Sequence, residues 1–62
     1  MPNIKIEITK QTKEKKKEMI EKLTKTMSEI TNIPQEAFVV WINEYDADNI
    51  GPGGKQLSER LK

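Results

Sequence analysis

Ile4, Ile6 and Ile8 alternate with polar neighbours in Asn-Ile-Lys-Ile-Glu-Ile-Thr over residues 3–9. Three β-branched residues at period two predict a half-buried strand. Pro2 stands at its first position, where a missing backbone donor is harmless. The period then changes. Met19, Ile20, Leu23, Met27 and Ile30 form one helical stripe. Thr12 is placed to cap that helix and Glu14 to favour its first turn. Glu18–Lys22 and Glu21–Lys25 stand at the i,i+4 spacing on its polar face. Asn32 before Ile33-Pro34 is a stop signal.

Ala37–Tyr45 reads as a second strand, apolar on both faces: Phe38, Val40 and Ile42 on one, Val39, Trp41 and Tyr45 on the other. Such a strand wants cover on both sides. One helix covers only one, so the other face is expected to pack on another subunit. Strand, helix and strand in this order predict a right-handed βαβ unit with parallel strands. Gly51-Pro52-Gly53-Gly54 then marks a hairpin or tight loop, with Leu57 and Leu61 as docking points in a charged tail. The fold class is therefore α/β, in a single domain over residues 1–62.

Composition sharpens the expectation of self-association. Only 34% of 62 residues are hydrophobic and another 34% are charged. A chain this short buries only about 60% of its unfolded surface and usually needs disulfides, a metal or partner subunits. With no Cys and no His, the first is excluded and thiolate or imidazole metal sites with it. Cys-His pairs, Ser-His-Asp triads and histidine bases are excluded too. A net charge of +1 gives no strong pull toward nucleic acid or membrane. No apolar run approaches a membrane span or a signal segment, so a soluble cytoplasmic protein is expected.

Most of the conspicuous polar clusters have plain explanations. Lys13, Lys15, Lys16 and Lys17 are interleaved with Glu14 and Glu18 and would spread around a helix as a solvated face. The glycine segment before Lys55 lacks the first Gly and the final Ser or Thr of a phosphate loop. Glu44, Asp46 and Asp48 fall short of a calcium loop's ligand count. Trp41 and Tyr45 suit interface packing.

Pro2 is different. Acid–base work near neutral pH needs a group of matching pKa. Without His or Cys, only the chain's α-amine, ordinarily about 7.7–8.0, lies close. Loss of Met1, which initiator processing normally permits before small residues including Pro, would expose the secondary amine of Pro2. An apolar pocket would then disfavour its ammonium form.

In its order and spacing, the chain resembles the 4-oxalocrotonate tautomerase family over nearly its whole length. The resemblance rests on Met-Pro before a short alternating strand and on Thr12-Lys13-Glu14-Lys15-Lys16-Lys17 opening a helix. It continues through Ile33-Pro34-Gln35-Glu36, Phe38-Val39-Val40-Trp41-Ile42-Asn43-Glu44 and Asn49-Ile50-Gly51-Pro52-Gly53-Gly54-Lys55. It implies a β-α-β protomer whose dimers share a four-stranded sheet and assemble into a hexamer. It also implies keto–enol tautomerase activity, in aromatic-compound breakdown, with Pro2 as amino-terminal general base and neither cofactor nor metal. The substrate is then a small enol or 2-oxo acid, typically 2-hydroxymuconate.

Three positions depart from the family. Gln11 stands where members carry a carboxylate-binding arginine in the loop after the first strand, and Val39 where a neighbouring subunit supplies a second. Ile50 replaces an aromatic residue that keeps the site apolar. Lys10 or Lys13 can return part of the lost charge, though lysine makes no bidentate fork. Two readings follow: a tautomerase with a less charged substrate, such as the enol of an aryl-pyruvate, or a catalytically silent oligomeric small-molecule binding module on the same scaffold.

Overall fold

The computed structural model describes residues 1–60. Strand β1 (Asn3–Thr9), helix α1 (Lys13–Thr31), strand β2 (Val39–Tyr45) and the four-residue helix α2 (Leu57–Arg60) follow in order. Short 3-10 turns occupy Gln35–Ala37, Ala47–Asn49 and Pro52–Gly54. The two strands pair in parallel with Asn3 opposite Val39 and Thr9 opposite Tyr45. This register puts Ile4, Ile6, Ile8, Val40 and Ile42 on one face, and Asn3, Lys5, Val39, Trp41 and Tyr45 on the other.

The helix boundaries have local causes. Thr12 is extended and its Oγ1 accepts from Lys15 N–H at 3.1 Å. Asn32 adopts the left-handed conformation (φ 61°) that ends the helix, and its N–H donates to the Ser28 carbonyl at 2.9 Å. Glu18 and Lys22 meet at 2.6 Å. Glu21, expected to pair with Lys25, instead lies 3.9 Å from Lys17, one turn earlier.

One boundary differs from the sequence reading. Ala37 belongs to a 3-10 turn, not to the second strand, because Ala37 N–H donates to Pro34 and Phe38 N–H to Gln35. Among the described residues no strand follows Tyr45, so of the two expected forms, hairpin or tight loop, the glycine segment takes the loop. Leu57 N–H donates to the Ile50 carbonyl at 2.7 Å, and Gln56 Nε2 to the Asp48 carbonyl at 3.0 Å. Gly53 and Gly54, at φ 62° and 82°, supply the left-handed backbone that this turn requires. Leu61 lies outside the described residues.

No described residue is buried. The helical stripe stays open, with Ile30 70% exposed, and so does Trp41 at 53%. The radius of gyration, 14.8 Å, far exceeds the roughly 10.5 Å of a compact domain of this length. The single chain therefore has elements in place but, among its described residues, no core.

Candidate active site

The parallel register sorts the candidate residues to two ends of the sheet. Pro2 lies at the first end, where its carbonyl accepts from Val39 N–H at 3.0 Å and extends the ladder by one bond. Pro2 and Val39 are thus neighbours. Met1 acylates the Pro2 nitrogen in this chain, which leaves it without a basic lone pair, and Met1 itself is 88% exposed.

Beside Pro2 on the uncovered sheet face is a groove lined by Asn3, Lys5, Trp41 and Asn43. Trp41 Nε1 donates to Asn3 Oδ1 at 2.9 Å, and Asn3 Nδ2 donates to the Met1 carbonyl at 3.3 Å. Sequence alternation had placed Asn3 and Trp41 on separate strands with no reason to connect them. Only the register does so.

Lys10 and Gln11 lie at the other end. Eight residue steps at ~3.3 Å each, through the extended β1, separate Pro2 from Lys10 by about 26 Å. There Glu44 is the organising group: its Oε2 accepts from Gln11 N–H at 2.8 Å and its Oε1 from Lys16 Nζ at 2.9 Å. The Gln11 N–H first, and the Lys16 ammonium second, hold the Glu44 carboxyl below its ordinary value of 4.5. Gln11 Nε2 turns back to the Thr9 carbonyl at 3.2 Å. Lys10 reaches Asp46 at 3.1 Å across the start of the arm. Lys16 therefore leaves the solvated face assigned to the lysine cluster and becomes a structural ion-pair partner.

Ile50 belongs to the arm, beyond this second end, where it ends the Ala47–Asn49 turn and is half-buried. One protomer consequently brings Pro2 and Val39 together and gathers Lys10 and Gln11 elsewhere. Grooves flank α1 on both sides. One is floored by Ile20, Val40 and Ile42 under a rim of Lys13, Lys16 and Lys17. The other contains Gln11, Met19 and Leu23. Neither includes Pro2.

Among the described residues, no three His, Cys, Asp or Glu side chains gather to hold a metal ion. No described helix is long and apolar enough to cross a membrane.

Comparison with known proteins agrees with this architecture. The family described as "Tautomerase enzyme" matches residues 2–60. A probable tautomerase of Bacillus cereus is 38% identical over 61 residues, covering 97% of this chain and all of that one. The 2-hydroxymuconate tautomerase of Bacillus subtilis is 33% identical over 60 residues, 95% of this chain and 97% of its own. Among solved structures, that of the 4-oxalocrotonate tautomerase isozymes from Methylibium petroleiphilum superposes with a TM-score of 0.88 at 34% identity, covering 98% of this chain and 100% of that one. A two-stranded parallel β-α-β unit matched end to end by these proteins identifies the chain as an isomerase of the tautomerase family, within the 4-oxalocrotonate tautomerase superfamily.

Proposed function

We propose that the protein is a cofactor-independent keto–enol tautomerase in which Pro2, freed by removal of Met1, is the general base. The observation that carries this reading is the placement of Pro2. Its carbonyl is fixed to β2 through Val39, while its nitrogen sits at the open end of the ladder behind a single exposed residue. Once Met1 is cleaved, that nitrogen is a secondary amine held by the sheet. It takes the proton of the enol hydroxyl and returns a proton to carbon, at C5 where the substrate is 2-hydroxymuconate. The net change is an isomerisation, with no proton gained or lost.

The site is completed by other subunits. The separation of Pro2 from Lys10, Gln11 and the Ile50 arm means that one substrate cannot touch all of them within a protomer. The lack of any buried residue among those described and the large radius of gyration support assembly, as dimers with a four-stranded sheet joined into a hexamer. Apolar Val39 and Ile50 then lower the amine's affinity for a proton by desolvation.

The substrate follows from what replaces the two arginines. A charge-assisted bond to a carboxylate is worth about 1.5–3 kcal/mol. Losing two weakens a dicarboxylate by roughly two to four powers of ten at ~1.4 kcal/mol per tenfold. Gln11 offers an amide, and the carboxylate next to it, Glu44, is already committed to Lys16. A small 2-oxo acid with one carboxylate, such as an aryl-pyruvate enol, suits these residues better than 2-hydroxymuconate does.

Ketonisation of phenylenolpyruvate and 2-hydroxymuconate by the trimmed protein, with mass spectrometry confirming the terminus, tests the reading. The expected result is a higher kcat/KM for phenylenolpyruvate and at least a hundredfold loss of activity in Pro2→Ala. Equal rates in Pro2→Ala and the parent would refute Pro2 as base. Absence of activity in both would favour the silent binding module.

A further inference from the structure

The hydrogen bonds around Met1 show more than how the chain begins. Trp41 Nε1 can only donate, so the Asn3 atom that it meets at 2.9 Å is the oxygen. The amide orientation is thereby fixed, and Asn3 Nδ2 points along the other direction, toward the Met1 carbonyl oxygen at 3.3 Å. That oxygen is bonded to the carbon attached to Pro2 nitrogen, about 2.2 Å from it by standard peptide dimensions. With Met1 gone, the nitrogen lone pair points along the former bond to the Met1 carbon, and a substrate oxygen sharing a proton with it would lie about 2.8 Å out along that line. That place is within roughly 1.5 Å of the Met1 carbonyl oxygen, close enough to be reached by the donor that Asn3 turns toward Met1. The groove formed by Asn3, Lys5, Trp41 and Asn43 leaves room for the remainder of a small molecule.

We propose that Asn3 is a catalytic residue, whose Nδ2 donates a hydrogen bond to the substrate oxygen that yields its proton to Pro2, and that Trp41 is the positioning residue that holds the Asn3 amide. The inference rests on Pro2 as base and deepens that reading. In the forward step the O–H bond breaks, its proton moves to Pro2 nitrogen, and the oxygen gains negative charge. That charge is what the Asn3 donor stabilises. The electron pair then forms the C=O bond while the carbon end accepts a proton from the Pro2 ammonium. A donor aimed at an oxygen whose charge grows in the transition state acts on kcat more than on substrate binding.

The test uses the full-length protein with Met1 removed, assayed with phenylenolpyruvate. Asn3→Asp is the informative variant, because a carboxylate oxygen still accepts from Trp41 Nε1 but offers no donor to the substrate. We expect kcat to fall about tenfold to a hundredfold in Asn3→Asp and Asn3→Ala, with KM moved less than threefold. Trp41→Phe, which keeps an aromatic ring and loses the indole N–H, is expected to lower kcat about threefold to tenfold. It should have no further effect when added to Asn3→Asp, since the amide that it positions is then absent. Where Asn3→Ala fails to assemble, Asn3→Asp and Trp41→Phe carry the test. A Pro2→Ala enzyme without activity, alongside Asn3→Asp with kcat within twofold of the parent, would overturn the role of Asn3 and leave Pro2 standing. Full activity in Pro2→Ala would overturn both.

Discussion

Chemistry in this chain is concentrated in a few residues whose value depends on what is absent around them. In the proposed reaction Pro2 is the base because there is no His and no Cys. Gln11 and Val39 enter the same proposal because neither carries a charge. If these two positions set substrate choice, Gln11→Arg and Val39→Arg should each raise kcat/KM for 2-hydroxymuconate about tenfold or more, from one restored charge-assisted bond. Competitive assays against phenylenolpyruvate read that change, and a pair of variants with unaltered preference would remove both residues from the substrate site. The sequence offered Pro2 as a candidate base by elimination and through the family resemblance. It offered no signal for the role proposed for Asn3, since a polar residue alternating with isoleucines looks like any solvent-facing strand position until the register sets it beside Trp41.

Among the elements, the junction of β1, α1 and β2 is the most tightly specified. Thr12 caps the helix through Lys15 N–H, and Thr12→Ala should cost about 1 kcal/mol in unfolding free energy, read by denaturant titration. Glu44 clasps the loop just before it, through Gln11 N–H and Lys16. Its carboxyl is held below 4.5 in the folded protein, so its contribution is present above the unfolded value. That contribution is lost as pH falls through the lower folded value. Melting temperatures of the parent and Glu44→Gln should therefore differ at pH 7 and converge as acid protonates the carboxylate in the folded protein. A difference that persists undiminished in acid would show that the carboxylate charge is not what holds the loop.

The strands and α1 were legible because their periods are unmixed and their caps are of the usual types. The start of β2 was not, because the apolar residues Ala37 and Phe38 continue the strand's composition while Pro34 begins a 3-10 turn. The arm after Tyr45 has turn residues and no period. Its composition could announce a reversal of the chain but could not choose between a hairpin and the looped form held by Leu57 and Gln56.

At the scale of the whole molecule, the single chain has its elements formed but leaves large apolar side chains uncovered. Ile20, Leu23, Met27, Ile30, Trp41 and Tyr45 are all exposed, and full burial of a large apolar side chain contributes about 1.5–3 kcal/mol. Several such burials separate a chain that folds from one that does not. Sedimentation at micromolar concentration should give a multiple of 7.2 kDa, and dilution to monomer should abolish the helical circular dichroism at the same time. A 7.2 kDa species with full helical signal and cooperative melting would contradict the need for partners. The doubly apolar β2 was visible in the sequence. The division of the candidate site between the two ends of the sheet required the parallel register.

The most direct test of Pro2 as base is titration of its nitrogen by ¹⁵N NMR in the trimmed, assembled protein. A value clearly below the ordinary α-amine range of about 7.7–8.0 is predicted, with the neutral amine dominant at pH 7.5. An ammonium that keeps its proton beyond pH 8 would contradict the account.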